Sequence, residues 1–260
     1  LTTDTFAYGQ WVKAKIYQER CDLSPDGRHL LYFAMGFKEG HSCYYGISKA
    51  PYVKTLSLFW EGDTWSQGGH WVNSKTYWLD RFGAGESTGT GVRRVECPDW
   101  AVHPLIYRLK RDSWAHVTET KVDLECKEYF RDVKGFKFLD ASSEVLWNAD
   151  SSVKTYGTQH EFAKSLSFGW ELRKLIHVGS NPKKGKGSVW EQHALFHSES
   201  RLQMLYPDWE WADYDAPRDR ILYAEKGKIF AVKLTQEGLG EPIELFDSTQ
   251  YGRDPVIAPY

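Results

Sequence analysis

Short apolar runs recur along the chain, each closed by a turn signal such as Pro25-Asp26-Gly27, Gly68-Gly69, Lys134-Gly135, Lys226-Gly227 or Gly238-Leu239-Gly240. Leu56 to Trp60 and Lys228 to Leu234 alternate apolar with polar positions at period two, the mark of a half-buried strand. His29 to Ala34 is almost continuously apolar, as a strand covered on both faces is. Trp11 to Tyr17 and Leu105 to Leu109 read as further strands. Phe162 to Leu175 places Phe162, Leu166, Trp170 and Leu172 at partly helical spacing, but Gly169 interrupts the pattern, so two strands and a turn are expected there. Short strands separated by regular turns predict an all-β fold: a sandwich, a barrel or a propeller. The glycine-rich tract Gly83 to Gly91 reads as a loop rather than a boundary, because strand patterns of one kind lie on both sides of it. A single domain spanning 1–260 is therefore expected.

Two segments echo each other. Cys21 to Ala34 and Trp211 to Ala224 each read as a short strand, an acidic or proline-containing turn, a basic residue and then an apolar strand. In the first, Pro25 pre-sets its φ, Asp26 bonds nearby backbone, and Gly27 accepts positive φ. Asp-x-Trp recurs at Asp63 to Trp65 and Asp112 to Trp114, and Pro-Asp-Trp at Pro98 to Trp100 and Pro207 to Trp209. The stretch Leu23-Ser24-Pro25-Asp26-Gly27-Arg28-His29-Leu30-Leu31-Tyr32-Phe33 resembles the inner-strand signature of TolB-like and WD-repeat-like β-propellers. Ser24 to Ala34, Ile47 to Tyr52, Gly62 to Trp65 and Trp211 to Ala231 together are similar to a group of bacterial propeller-like proteins. The resemblance implies a β-propeller in a bacterial cytoplasm and carries no activity. Blades of about 40–50 residues give five in a chain of this length, with six the alternative. Pairing of the terminal segments would close the ring and remove its open edges.

Composition narrows the function. Net charge is −2 over 260 residues, which lacks the basic excess of a nucleic-acid-binding protein. The basic stretch Lys183 to Gly187 reads as a hairpin tip. No apolar run is long enough to span a bilayer, so no membrane partner is expected. Cys21, Cys43, Cys97 and Cys126 form no Cys-x-x-Cys pair, so thiols of a reducing cytoplasm are expected rather than a zinc site. The periplasm is the alternative, with two disulfides, if a signal segment has been removed.

No residue set makes a catalytic case. His193 and His197 lie four apart, but on a strand that spacing is about 13 Å, too far for one ion. Cys43 beside His41 has no third group to orient it. Gly-x-Ser-x-Gly and Gly-Lys-Ser/Thr are absent, so no nucleophile elbow and no phosphate loop is expected. Asp208, Glu210, Asp213, Asp215 and Asp219 could pair as glycosidase carboxylates; turn chemistry is the simpler reading. No cofactor and no metal are expected.

Aromatic residues are abundant, with 12 Trp, 15 Tyr and 13 Phe. They suit strand surfaces and recognition surfaces alike. Trp65 and Trp71, flanking Ser66 to His70, and the pair Trp209 and Trp211 are the candidate binding residues, with His70 beside them. The expected function is a non-enzymatic protein-binding scaffold of immunity or adaptor type, with another protein as partner. A propeller hydrolase or lyase acting at the central channel is one alternative. A carbohydrate-binding module using Trp and Tyr platforms is the other.

Overall fold

A computed structural model describes residues 3–38, 41–62, 64, 66–80, 84–87, 91–99, 102–122, 157–178, 189–252 and 256–260. Among these residues the chain is all-β, with four sheets and one α-helix. It divides into two compact units: Thr5–Asp112 with Tyr251–Tyr260, and Ser113–Gln250 with Leu1–Asp4.

The N-terminal unit carries β1 (Lys15–Ile16), β2 (Asp22–Leu23), β3 (His29–Lys38), β4 (His41–Lys49), β5 (Thr55–Glu61), β6 (Gly69–Asn73), β7 (Thr76–Leu79), β8 (Ala84–Ser87), β9 (Arg93–Arg94) and helix α1 (Pro104–Arg111). Its larger sheet runs β1-β3-β4-β5-β8, with β2 also on β3; the smaller runs β6-β7-β9. The turn from β2 to β3 follows its sequence chemistry. Ser24 Oγ donates to Asp26 Oδ1 at 2.6 Å, Gly27 N donates to Ser24 O at 2.7 Å, and Gly27 takes φ 71°.

Alternation then sets the core. Leu31, Phe33, Cys43, Tyr45, Ile47 and Phe59 face Trp71, Tyr77 and Leu79 of the smaller sheet, all buried. On the far side of that sheet, α1 sets Tyr107 against Trp78 and His70, with ring centroids 5.3 and 6.1 Å apart.

Three strand-level expectations change here. Leu105 to Leu109 is helical, because Pro104 occupies the first turn and the His103 side chain caps it, Nδ1 accepting from Leu105 N at 3.2 Å. The apolar run is one face of this helix, with Leu105, Ile106 and Leu109 buried. Trp11 to Tyr17 shortens to the two residues of β1. Within the glycine-rich tract, Ala84–Ser87 is a strand paired antiparallel to β5, while Gly83 and residues 88–90 lie outside the described residues.

The C-terminal unit holds two antiparallel meanders. One is β10 (Ala115–Val122), β11 (Gly157–Ser165), β12 (Trp170–Val178), β13 (Val189–His197) and β14 (Gln203–Tyr206), in that order across the sheet. The other is β15 (Trp211–Asp215), β16 (Arg220–Glu225), β17 (Lys228–Thr235) and β18 (Gly238–Leu239), with β19 (Ile243–Asp247) also on β17. Gly169 does separate two strands, as its position in the sequence predicts.

Register places Trp170, Leu172, Lys174 and Ile176 of β12 on one face with Phe162, His193 and Leu195. This face meets the second meander: Trp170 Nε1 donates to Thr235 O at 3.2 Å and Lys164 Nζ to Asp213 Oδ1 at 2.5 Å. The echo between Cys21 to Ala34 and Trp211 to Ala224 is a structural one. Both are antiparallel strand–turn–strand units, pairing Asp22 with Leu31 and Asp213 with Leu222. Gly27 and Asp219 are the left-handed residues of the two turns.

Gly68 tests the close approach of chain to chain in the N-terminal unit. Its φ is 121°, and an added Cβ would sit 2.8 Å from the Arg20 Cα and carbonyl oxygen. Gly68→Ala is expected to lower the urea midpoint by an amount equivalent to about 2 kcal/mol. Gly62→Ala, where an added Cβ meets nothing within 4 Å, is expected to leave it unchanged.

Candidate functional site

The sequence-chosen aromatic residues go to different places. Trp71 is 0% exposed in the core of the N-terminal unit, and His70, next to it on β6, points to the opposite face and is buried against Tyr107 and Trp78. Trp209 is buried in the C-terminal unit, in a run of stacked rings: Tyr206–Trp209 at 4.0 Å, Trp209–Tyr223 at 4.5 Å and Tyr223–Phe230 at 5.1 Å. Trp211 is exposed. Trp65 lies outside the described residues. Of the described four, His70 and Trp71 are buried on opposite faces of β6, Trp209 is buried inside a ring stack, and only Trp211 is exposed.

His70 belongs to a charged knot. Its Nδ1 lies 3.3 Å from Asp22 Oδ2. Asp22 also accepts from Trp71 N at 2.8 Å and from both Nη atoms of Arg111, at 2.8 and 3.1 Å. Arg111 in turn donates to Trp71 O at 3.0 Å. Burial alone would raise the Asp22 pKa, but the hydrogen bonds from His70 and Arg111 outweigh it and hold the carboxyl below its ordinary value. The knot ties β2, β6 and α1 together.

The sheet-to-sheet face of the C-terminal unit carries a second polar set. Lys174 is buried with its Nζ 2.8 Å from Glu191 Oε2, which lies 3.3 Å from His193 Nε2. Burial opposes the Glu191 charge, yet the Lys174 ammonium prevails and holds its pKa well down. His193 is kept neutral by burial. The ring of Trp114 lies under two ammonium groups, Lys164 at 4.7 Å and Lys174 at 5.0 Å. Among the described residues no group of three His, Cys, Asp or Glu is placed to hold a metal.

The acidic residues around 208–219 also separate: Asp213 binds Lys164, Asp215 binds Arg220 at 2.8 Å, and Asp219 accepts from two hydroxyls. Each of these three carboxylates has its own partner.

A different feature does look outward. Phe168, at the turn between β11 and β12, is 48% exposed at φ 58°. A bulky side chain in the left-handed region costs on the order of 1–2 kcal/mol. The surroundings hold it there. His197 Nε2 lies 3.0 Å from Phe168 O. Ser198 N and Oγ donate to Gly169 O at 2.9 and 3.0 Å. Ser167 Oγ donates to Asp219 Oδ1 at 2.7 Å, where Tyr214 OH also donates at 2.5 Å. Two neighbouring turns contain left-handed residues as well, Arg201 between β13 and β14 and Asp219 between β15 and β16. The hairpins β11–β12, β13–β14 and β15–β16 thus end in strained turns, two of them bonded directly to the Phe168 turn. Leu202, beside Arg201, is a second exposed apolar residue. Sequence reasoning passed over Phe168. The signal available was its place before Gly169 in a hairpin turn, where Asn or Gly is usual.

Comparison with known proteins finds no matching family model, no matching curated protein and no matching solved structure. Among the described residues no helix is long and apolar enough to cross a membrane.

Two carboxylates give opposite pH dependences. Asp22 has a folded pKa below its unfolded value, so its contribution is present above the unfolded pKa near 3.8 and is lost as pH falls below it. Asp22→Asn is expected to cost about 1–3 kcal/mol at pH 7, because Arg111 and Trp71 N lose a buried charged acceptor while Arg111 keeps its pair with Asp112 at 2.8 Å, measured by urea unfolding. Glu161, on the other face of the β11–β12 sheet, has its pKa pushed up to about 7 by burial, which the Arg173 guanidinium at 3.0 Å only partly offsets. A raised folded pKa gives stability that is full below about 4.5 and is lost as pH rises through about 7. Glu161→Gln is expected to flatten the stability profile between these two values and to be more favourable at pH 8 than at pH 5.

Proposed function

We propose that the chain is a single β-propeller domain, of five blades with six the alternative, acting as a non-enzymatic protein-binding scaffold of the bacterial cytoplasm. It would serve as an immunity or adaptor component and meet its partner through the hairpin ends around Phe168. The sequential antiparallel meanders are of the kind from which propeller blades are built. Cys21 and Cys97 carry free thiols, which suits a reducing compartment.

The observation that carries the reading is Phe168. A fold gains nothing by exposing an aromatic ring on strained backbone and then fixing that backbone with bonds from His197 and Ser198. Strain held in place by its surroundings is characteristic of recognition and catalytic sites, and an exposed, preorganised aromatic is the usual anchor of a protein interface. The polar rim of Ser167, Tyr214, Asp219 and His197 fits the same use.

Affinity capture by the tagged chain in its native host is expected to recover one stoichiometric protein, and Phe168→Ala to lose it. Phe168→Gly is expected to lose the partner while leaving the melting temperature unchanged or higher, since glycine is at ease at that φ. Capture that survives both substitutions would overturn the reading. A crystal structure in which the sheets fail to radiate about one axis would overturn the propeller part.

A second reading, carbohydrate binding, draws on the N-terminal unit. Tyr8 stacks on Tyr251 at 4.1 Å and lies 6.4 Å from Trp11, and Trp11 and Tyr251 are both exposed. Exposed rings of this kind stack on sugar faces. If this reading holds, a glycan array gives a hit that Trp11→Ala removes; silence of the array counts against it.

A further inference from the structure

We propose that the Phe168 turn captures an arginine side chain of the protein partner, its guanidinium donating to Asp219 Oδ2 and laid against the Phe168 ring. The proposal rests on the protein-binding reading above and adds the chemistry of what is bound.

Among the described residues Asp219 is a charge without a counter-ion. Both of its donors, Ser167 Oγ at 2.7 Å and Tyr214 OH at 2.5 Å, are neutral hydroxyls, and both converge on Oδ1. They stabilise the ionised form, so Asp219 stays a carboxylate below its ordinary pKa. They do not cancel its charge. Among the described residues Asp219 makes no ion pair, although an arginine stands on each side of it in the sequence. Arg218 is engaged with Asp4 at 2.9 Å, and Arg220 with Asp215 at 2.8 Å and Asp4 at 2.6 Å. Both flanking arginines are committed elsewhere, and the half-buried carboxylate keeps Oδ2 outside both hydroxyl bonds.

The Phe168 turn and the carboxylate are joined by a hydrogen bond. Ser167 links them: its hydroxyl is bonded to Asp219, and its carboxyl-side neighbour is Phe168. Both residues sit at positive φ, 58° for Phe168 and 48° for Asp219. Arg201, from the β13–β14 turn, lies over the ring of Phe196 on β13 at 5.4 Å.

The partner's chemistry follows from what each group needs. An aliphatic side chain laid on Phe168 would desolvate Asp219 and leave it unpaired, which is unfavourable. A lysine ammonium would meet the charge but cannot lie flat on a ring. A guanidinium does both: it is planar, is weakly hydrated, and can donate an N–H to Oδ2 while its face lies on the ring. The turn therefore selects arginine by rejecting apolar residues as well as by attracting cations.

The test uses the full chain, labelled with 15N, and three capped tripeptides, Gly-Arg-Gly, Gly-Lys-Gly and Gly-citrulline-Gly. Citrulline keeps the shape of arginine and removes its charge. The arginine peptide is expected to shift the amide signals of Phe168, Gly169 and Asp219 with a dissociation constant on the order of millimolar. The lysine and citrulline peptides are expected to bind about 10-fold more weakly. Asp219→Asn should abolish the preference for arginine over citrulline, and Phe168→Ala should weaken binding of the arginine peptide. Asp219→Gly, which suits the left-handed backbone, supplies a folded second variant with the same expected loss. The proposal is overturned if no shift appears at about 10 mM peptide, if arginine and citrulline bind alike, or if both Asp219 variants bind as the parent does. Capture of the protein partner separates the two levels. Loss in Phe168→Ala with full retention in both Asp219 variants overturns the arginine assignment and leaves the protein-binding reading standing. Retention in Phe168→Ala overturns the reading beneath it.

Discussion

The buried Lys174 ammonium constrains the whole C-terminal unit. A charge taken out of water must bring a fixed counter-charge with it, or the desolvation cost goes unmet. Glu191 supplies that counter-charge from β13, two residues along from the position directly opposite Lys174. A slip of one residue between β12 and β13 would put Glu191 on the wrong face and leave Lys174 unpaired. Lys164 and Asp213 impose a similar condition between β11 and β15. The ion pairs contribute specificity of alignment more than net stability. With register fixed in this way, the turns beyond the strands reach one another in a defined geometry. His197 and Ser198 can then hold the backbone of Phe168 and Gly169 in place.

The N-terminal unit meets the same condition with different parts. Asp22 stands on a strand of two residues, too short to hold position by its ladder alone. Arg111 reaches it from the last turn of α1 and also grips the carbonyl of Trp71, so the helix, the short strand and β6 are placed by one guanidinium. His70, chosen from the sequence as a recognition residue, faces this knot. A polar residue beside tryptophan in a turn-rich stretch looks like a surface feature, yet alternation on β6 sends Trp71 into the core and His70 toward the helix.

Sequence pattern made much of the fold legible, for reasons that can be named. β3, β5 and β17 announce themselves through period two or unbroken apolar character, and the Ser24 to Gly27 turn through residues whose side chains build it. The pattern misled at Leu105 to Leu109, where five residues are too few to separate a strand from one face of a short helix. Pro104 and His103, which settle the matter, lie just outside the apolar run. The ion-paired faces were hidden because partners such as Asp22 and Arg111 are far apart in the chain. Phe168 was hidden for another reason: positive φ is a property of backbone that composition does not record, and an exposed phenylalanine resembles a core one when only letters are read.

The ring stack of Tyr206, Trp209, Tyr223 and Phe230 has an optical consequence. Adjacent rings lie 4.0 to 5.1 Å apart and within 17° of parallel, close enough for their transition dipoles to couple. The stack takes Tyr206 from one meander and Tyr223 and Phe230 from the other, with Trp209 between them. The Trp209–Tyr223 step of this coupling contributes circular dichroism in the near ultraviolet only while the two sheets are joined. The C-terminal unit therefore carries its own chromophoric gauge of assembly, silent in the separated chain and set by a contact that no single strand can make.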